Sequence, residues 1–473
     1  MSAVSEPIVV ANLARHRHRP SRSRDSFAHS LISHTTLTGS RRAHLVMYLI
    51  VCLALVVACI VYGIKVAQGG SAIIRWRGLI ESIARGENVY NEWTKSGSFP
   101  YPPIAGLMLR PLTILPPVLS ALVWFTLKVL MAAVAIRWSI RLAAGEKARF
   151  SMATMAALLI LAGRPILSDL EHGNINILIL FLVTGGLIAF RRGRDWLAGS
   201  LFGLATALKV TPILFVPYFA YKRQWRVVGW SLGGLCLFLL IVPGMILGNG
   251  RNWWLVWSWS GAMVEPYALE GKVETLQVNQ SLAGVWFRLV TAVPGLECDG
   301  DEFAVNLLSL DTRIAFWAWK GIALAILAWV AWLSQGRVRD RGHCWLTCQY
   351  SLVFIAMLLI SERSWKHHYV TMLLPYCVLL AQVSLPLTEG GVVLGRGLRG
   401  FVIGSLVTAG LLMSATSTEL GGWFAGGLGH KYAQAYGFFC ASALVVFAAI
   451  SVILSSAQRA ASLTTGSAES AQV

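Results

Sequence analysis

Apolar residues run for about twenty positions at a time along most of this chain, and polar residues gather in short clusters between the runs. A hydrocarbon core of about 30 Å needs roughly 20 apolar residues per helix. Spans are therefore predicted over residues 45–66, 116–136, 151–168, 174–190, 227–248, 314–334, 344–360, 369–384, 400–416 and 435–455. Helices satisfy their own backbone hydrogen bonds in lipid, so the expected fold is all-α, a polytopic transmembrane helical protein with about ten full spans. One stretch breaks the pattern. Only residues 196–221 separate the basic groups Arg191, Arg192, Arg194 and Lys222, Arg223, Arg226, and a single crossing would put these groups on opposite sides. Lys209-Val210-Thr211-Pro212 lies midway, and the residue before a proline avoids helical geometry, which predicts a short broken helical hairpin with Lys209 at its apex. Ahead of the second span, Ile73, Ile74, Trp76, Leu79, Ile80 and Ile83 recur at helical spacing against Arg75, Arg77, Glu81 and Arg85. That periodicity predicts a helix lying in the membrane interface and roofing a cavity.

Composition agrees with a membrane protein: 56% of residues are hydrophobic and 13% charged, too few to dress a soluble globule. The net charge of +18 would suit nucleic acid, but it is concentrated in a basic N-terminal stretch and in short loops, so no nucleic-acid partner is expected. By the positive-inside rule those loops and both termini are cytoplasmic, and the protein is a multi-pass protein of the cell membrane. Three regions follow: a basic disordered tail over 1–43, a transmembrane domain over 44–456 and a second disordered tail over 457–473. The first run continues through Ile60, Val61 and Ile64, longer than an export signal core, and is read as an uncleaved anchor. The eight cysteines form no metal pattern; Cys344 and Cys348, with His343 beside them, are read as packing residues.

The polar clusters lie at the ends of the runs away from the basic loops. Between two spans, Arg164 to Asn176 contains Ser168, Asp169, Glu171, His172, Asn174 and Asn176. An ordinary turn needs only a glycine and a cap, but ionisable groups in a membrane are costly, and the cluster as a whole reads as functional. Ser361 to Tyr369 gathers Glu362, Trp365, Lys366, His367 and His368; adjacent histidines point to different faces, so no metal is expected. Residues 249–313 hold Trp253, Trp254, Trp257 and Trp259, read as an interfacial belt with a sugar platform as the alternative, followed by Asn279-Gln280-Ser281. Four cations, Lys128, Arg164, Lys209 and Lys320, sit inside apolar runs. An unpaired charge at mid-bilayer costs roughly 2.5–3.5 kcal/mol on insertion scales. Few carboxylates share that depth, so a bound lipid phosphate is the expected counter-charge, with snorkelling the alternative for Arg164 and Lys320.

Several motifs occur in a telling order: Phe99-Pro100-Tyr101-Pro102-Pro103, Gly173-Asn174-Ile175-Asn176, Lys209-Val210-Thr211-Pro212, Asn279-Gln280-Ser281, and Ser364-Trp365-Lys366-His367-His368 with Leu373-Leu374-Pro375. Across roughly residues 45–440 this set resembles glycosyltransferase family 87, a C-type, multi-spanning class that includes polyprenol-phosphate-mannose-dependent mannosyltransferases. The resemblance implies an inverting transfer of a hexose, expected to be mannose, from a polyprenyl-phosphate sugar to an extracytoplasmic glycolipid or glycan acceptor. The lipid-phosphate sugar is then a co-substrate, and no cofactor is implied. Such a reaction needs a base at the acceptor hydroxyl and cations at the departing phosphate. On the resemblance, Lys209 with Arg164, Lys128 or Lys366 holds the donor phosphate, and His367 or His368 contacts phosphate or sugar. Asn174 and Asn176 orient hydroxyls, and His172, Tyr101, Asn279, Gln280 and Trp365 are further sugar or acceptor contacts. The family's aspartate at the start of the first outward loop is missing, since the place reads Gly70-Ser71-Ala72-Ile73. Glu81, Glu171, Asp169 and Glu362 are the remaining candidates for the base; either the base has moved or the activity is lost or altered. Asn174 stands where the family has glutamine. The alternatives are a lipid-linked-sugar flippase or transporter, or a silent member that only binds lipid-linked sugar. No internal repeat relates the two halves, and the polar clusters gather at one face instead of the midplane.

Overall fold

The computed structural model describes residues 28–90, 99–385 and 394–470. Arg15 to Asp25 of the expected basic tail lie outside them. α1 (Ala28–Ala67) begins ahead of the first apolar run and α20 (Phe438–Ser470) continues past the last one, so helix occupies part of both expected tails. Neither extension contains a proline, and a helix already nucleated in the adjoining span propagates until something stops it.

After α1 come α2 (Ala72–Ala84), the short α3 (Pro103–Thr113), α4 (Pro117–Ala144), α5 (Met152–His172) and α6 (Asn176–Arg191). α7 (Asp195–Leu208), a 3-10 turn over Thr211–Leu214 and α8 (Phe215–Tyr221) form the broken hairpin. Arg341 touches both of its ends, pairing with Asp195 at the start of α7 and donating from Nη2 to Gln224 Oε1, 3.3 Å away, just past α8. α9 (Trp225–Cys236) continues through a π-helical turn, Leu237–Ile241, into α10 (Val242–Leu247). Asn252 in α11 (Asn249–Met263) donates to the carbonyls of Leu239 and Leu240 in that turn. Next come α12 (Glu265–Ala268), α13 (Leu282–Val290), α14 (Thr312–Leu333) and α15 (Cys344–Leu359). A 3-10 turn over Lys366–Met372 leads into α16 (Leu373–Ser384), then α17 (Arg396–Ala415), α18 (Thr418–Gly421), α19 (Gly429–Ala435) and α20.

The protein is an integral membrane protein built of helices. All ten expected runs are helical, and among the described residues seven segments are long and apolar enough to cross a membrane: Leu45–Ala67, Pro117–Ala144, Met152–His172, Trp225–Leu247, Thr312–Leu333, Arg396–Ala415 and Phe438–Gln458. α6, α15 and α16 are shorter, at 16, 16 and 12 residues. Nearly all of their residues are buried, so their length is set by neighbouring helices more than by lipid. α7 and α9 pack at backbone contact, and a Cβ on Gly203 would lie 2.6 Å from Ser231 O and Leu235 N. One exception to the all-helical expectation is a two-stranded antiparallel hairpin of β1 (Pro294–Cys298) and β2 (Asp301–Ala304). Asp299 and Gly300 at its tip both have positive φ, and Asp-Gly is a strong hairpin signal that the apolar-run reading passes over.

Candidate functional site

The site is assembled where α5 turns into α6. α5 is closed by Gly173 in the left-handed conformation (φ +74°), and a Cβ there would come within 2.6 Å of the Ser71 hydroxyl. Trp124 Nε1 donates to the Gly173 carbonyl at 2.9 Å, and the Tyr62 and Ser71 hydroxyls bond to each other at 2.7 Å. Behind this turn lies Asp169, fully buried. Its Oδ1 accepts from Asn176 Nδ2 at 2.9 Å, and its Oδ2 lies 3.6 Å from Lys128 Nζ and 3.4 Å from the Ile177 amide. Asn176 Oδ1 in turn accepts from Lys209 Nζ at 2.6 Å. The chain of contacts Lys128–Asp169–Asn176–Lys209 thus fixes the apex of the broken hairpin against the start of α6. Lys209 and Asn176 line a narrow cleft of about 20 Å³, room for about one water, whose walls include Thr211, Ser361, Ser364 and His368.

A second group of rings adjoins this relay. Asn174 Nδ2 lies 2.7 Å from His367 Nε2, and the His367 ring centroid is 5.0 Å from that of His172 and 4.8 Å from that of His368. His172 Nδ1 lies 2.7 Å from Ser168 O. His368 Nδ1 accepts from the Trp365 amide, and Trp365, more than a third exposed, meets His367 edge-on at 5.6 Å. Burial, then the charge of Arg164, lowers the Lys366 ammonium below the ordinary lysine range, and the charges of Glu171 and then Glu419 oppose this. Tyr101 is buried near the α5–α6 turn, where burial and then the charge of Asp169 raise its phenol. Its carbonyl accepts from the Tyr90 hydroxyl, and its ring meets Trp76 edge-on at 5.4 Å.

The other candidates are held elsewhere. Glu81 accepts from the Thr113 hydroxyl and lies 3.5 Å from Arg110, at the end of α3 remote from Tyr101 and about 15 Å along that helix. Glu362 receives Lys320 Nζ at 2.8 Å and Trp319 Nε1 at 3.3 Å. Arg164 caps the C-terminus of α17 through Met413 O and Thr416, and stacks over Phe439. Asn279 donates to Glu274 O and Glu362 O and accepts from the amides of Ser281 and Ser364. Gln280 Nε2 donates to Gln277 O and Gln434 O. Asn279 thus pins the 249–313 segment to the 361–365 loop and Gln280 ties it to α19, with buried Arg288 beside them donating to Leu276 O, Asn279 O and Ala435 O. Of the α11 tryptophans, Trp253, Trp254 and Trp257 are exposed, whereas Trp259 is buried and donates to Pro100 O.

The expectation that the buried cations lack protein counter-charges needs correction. Lys128 has Asp169, Lys320 has Glu362, and Arg164 has helix-end carbonyls. Carboxylates far off in sequence fold back to the same depth. Among the described residues, Lys209 is left with only an amide oxygen, so the cations available to an anion at the cleft narrow to Lys209, with Lys366 outside it. Thr211, Ser361 and Ser364 stand within the sequence motifs and clusters but had no role assigned to their hydroxyls, because hydroxyl residues in a turn ordinarily read as caps.

The model of glycosyltransferase family 87 matches residues 99–361. Over 289 residues the chain is 27% identical to a polyprenol-phosphate-mannose-dependent alpha-(1-2)-phosphatidylinositol mannoside mannosyltransferase of Mycobacterium tuberculosis, covering 58% of this chain and 60% of that protein. Over 309 residues it is 28% identical to a polyprenol-phosphate-mannose-dependent alpha-(1-2)-phosphatidylinositol pentamannoside mannosyltransferase of Mycolicibacterium smegmatis, covering 63% of this chain and 65% of that protein. The match thus spans just under two thirds of the length of these relatives. Among solved structures, the crystal structure of ArnT from Cupriavidus metallidurans in the apo state aligns with a TM-score of 0.38 and 14% identity, over 88% of this chain and 77% of that one.

Proposed function

The chain belongs to glycosyltransferase family 87, and from that premise we propose that it is a membrane hexosyltransferase moving mannose, with inversion, from a polyprenyl-phosphate carrier to a glycolipid acceptor. The observation that carries this reading is Lys209, held by Asn176 at a cleft with His368 and two serine hydroxyls. Lys209 has no carboxylate within ion-pair distance among the described residues, and an anion at the cleft would supply the missing charge.

The acceptor oxygen attacks the anomeric carbon as the bond from that carbon to the phosphate oxygen breaks, and the electron pair stays on the phosphate. A fixed ammonium and nearby donors stabilise that developing charge without reorganising, which is where preorganised electrostatics contributes most. In this reading Asn174 and Asn176 orient hydroxyls of the sugar. The relatives act on phosphatidylinositol mannosides, which supports a lipid-anchored acceptor of that kind. By the charge rule the basic loops face the cytoplasm, so the cleft opens on the extracytoplasmic face. Family membership gives no support to a flippase.

The test is release of polyprenyl phosphate by purified protein in detergent, given labelled polyprenyl-phosphate mannose with and without phosphatidylinositol mannoside. Acceptor-dependent release is expected, and Lys209→Ala should reduce it at least a hundredfold. Release that ignores the acceptor, or a Lys209→Ala variant turning over like wild type, removes this reading of the cleft.

A further inference from the structure

A sugar transfer of this kind needs a group to take the acceptor's proton, and three of the four candidate carboxylates already hold protein partners. Asp169 is fully enclosed between Lys128 and Asn176, Glu362 holds Lys320, and Glu81 sits with Thr113 and Arg110 at the remote end of α3. His172 stands differently. Its Nδ1 is 2.7 Å from the carbonyl oxygen of Ser168, which can only accept, so Nδ1 of the neutral ring carries the proton and Nε2 carries the lone pair. Among the described residues Nε2 has no hydrogen-bond partner, and the side chain is half-buried beside His367. Its backbone is fixed: it is the last residue of α5, followed by the left-handed Gly173 whose carbonyl is tied to Trp124. An imidazole with one nitrogen oriented by a hydrogen bond and the other free beside the His367 ring has the geometry of a general base.

Resting on the transfer reading above, we propose that His172 is the general base of this chain, taking the proton of the acceptor hydroxyl at Nε2. The new bond joins the acceptor oxygen to the anomeric carbon while the bond to the phosphate oxygen breaks. The proton passes from the acceptor oxygen to Nε2 and on to water, and the products are the glycoside and polyprenyl phosphate. Lys65, Lys128 and Lys366 are the charges acting most on this ring, and the donor phosphate offsets them as the imidazolium forms.

The experiment uses the full chain in detergent with labelled polyprenyl-phosphate mannose and phosphatidylinositol mannoside. His172→Asn keeps a side-chain donor within reach of Ser168 O but lacks the basic nitrogen. It should lower kcat at least a hundredfold, as loss of a general base does, with the KM for each substrate within about threefold of wild type. His172→Ala should lose the same factor, and added imidazole should restore part of the turnover, which a purely structural residue would not show. Turnover of His172→Asn within threefold of wild type, absence of imidazole rescue, or loss confined to Glu171→Gln would overturn the assignment while leaving the transfer reading intact. A wild-type protein that releases no polyprenyl phosphate removes both.

Discussion

At the scale of single residues, chemical type was legible in the sequence and pairing was not. Asp169, His172, Asn174, Asn176 and His367 stood out as polar groups at the ends of apolar runs, and Lys209 as a cation inside one. The partner of Lys128 is 41 residues away and that of Lys320 is 42, separations at which no helical periodicity points to a contact. The Lys128–Asp169 pair makes a sharp prediction. Removing one member of a buried ion pair leaves the other charge unpaired, at a penalty of about 3–5 kcal/mol. Asp169→Asn should therefore lower the thermal unfolding midpoint in detergent well below that of wild type, and Lys128→Met combined with Asp169→Leu should recover most of the loss. A midpoint for Asp169→Asn equal to that of wild type would mean that the pair does not hold the α5–α6 turn.

At the scale of elements, the helices followed from hydrophobic runs because a chain in lipid has few other ways to satisfy its backbone. The broken hairpin followed too, from charge parity and a proline. What the runs did not reveal was how closely the helices approach. Gly203 is one small residue among many, yet the backbone of α9 occupies the space its side chain would fill. Gly203→Val should destabilise by about 1–3 kcal/mol, since backbone atoms cannot move aside as a flexible side chain does. Gly163→Ala, whose Cβ would meet nothing within 4 Å, is the matched control and should leave the midpoint unchanged. The β1–β2 hairpin shows the opposite failing, a local signal present at Asp299-Gly300 but overshadowed by the membrane pattern around it.

At the scale of the whole molecule, the basic loops and the polar chamber lie at opposite ends of the helices, as shown by Arg341 bridging the two ends of the hairpin and by Lys209 at its apex meeting the first residue of α6. The proposed orientation has the basic loops in the cytoplasm, and single cysteines test it. Placed at Asp301 in β2 and at Arg194 between α6 and α7, in a background without the native cysteines, they should differ: the first labelled by an impermeant maleimide on intact cells, the second only after permeabilisation. The reverse pattern would place the chamber in the cytoplasm. By itself the sequence determined the membrane class, the number of apolar runs, the hairpin and the polar clusters, because each depends on composition or spacing within a few turns of one segment. Only the tertiary structure decided which cations are neutralised, which carboxylates are engaged and which imidazole nitrogen is free, because those depend on side chains from distant segments meeting at one depth, where low polarity makes every such contact count.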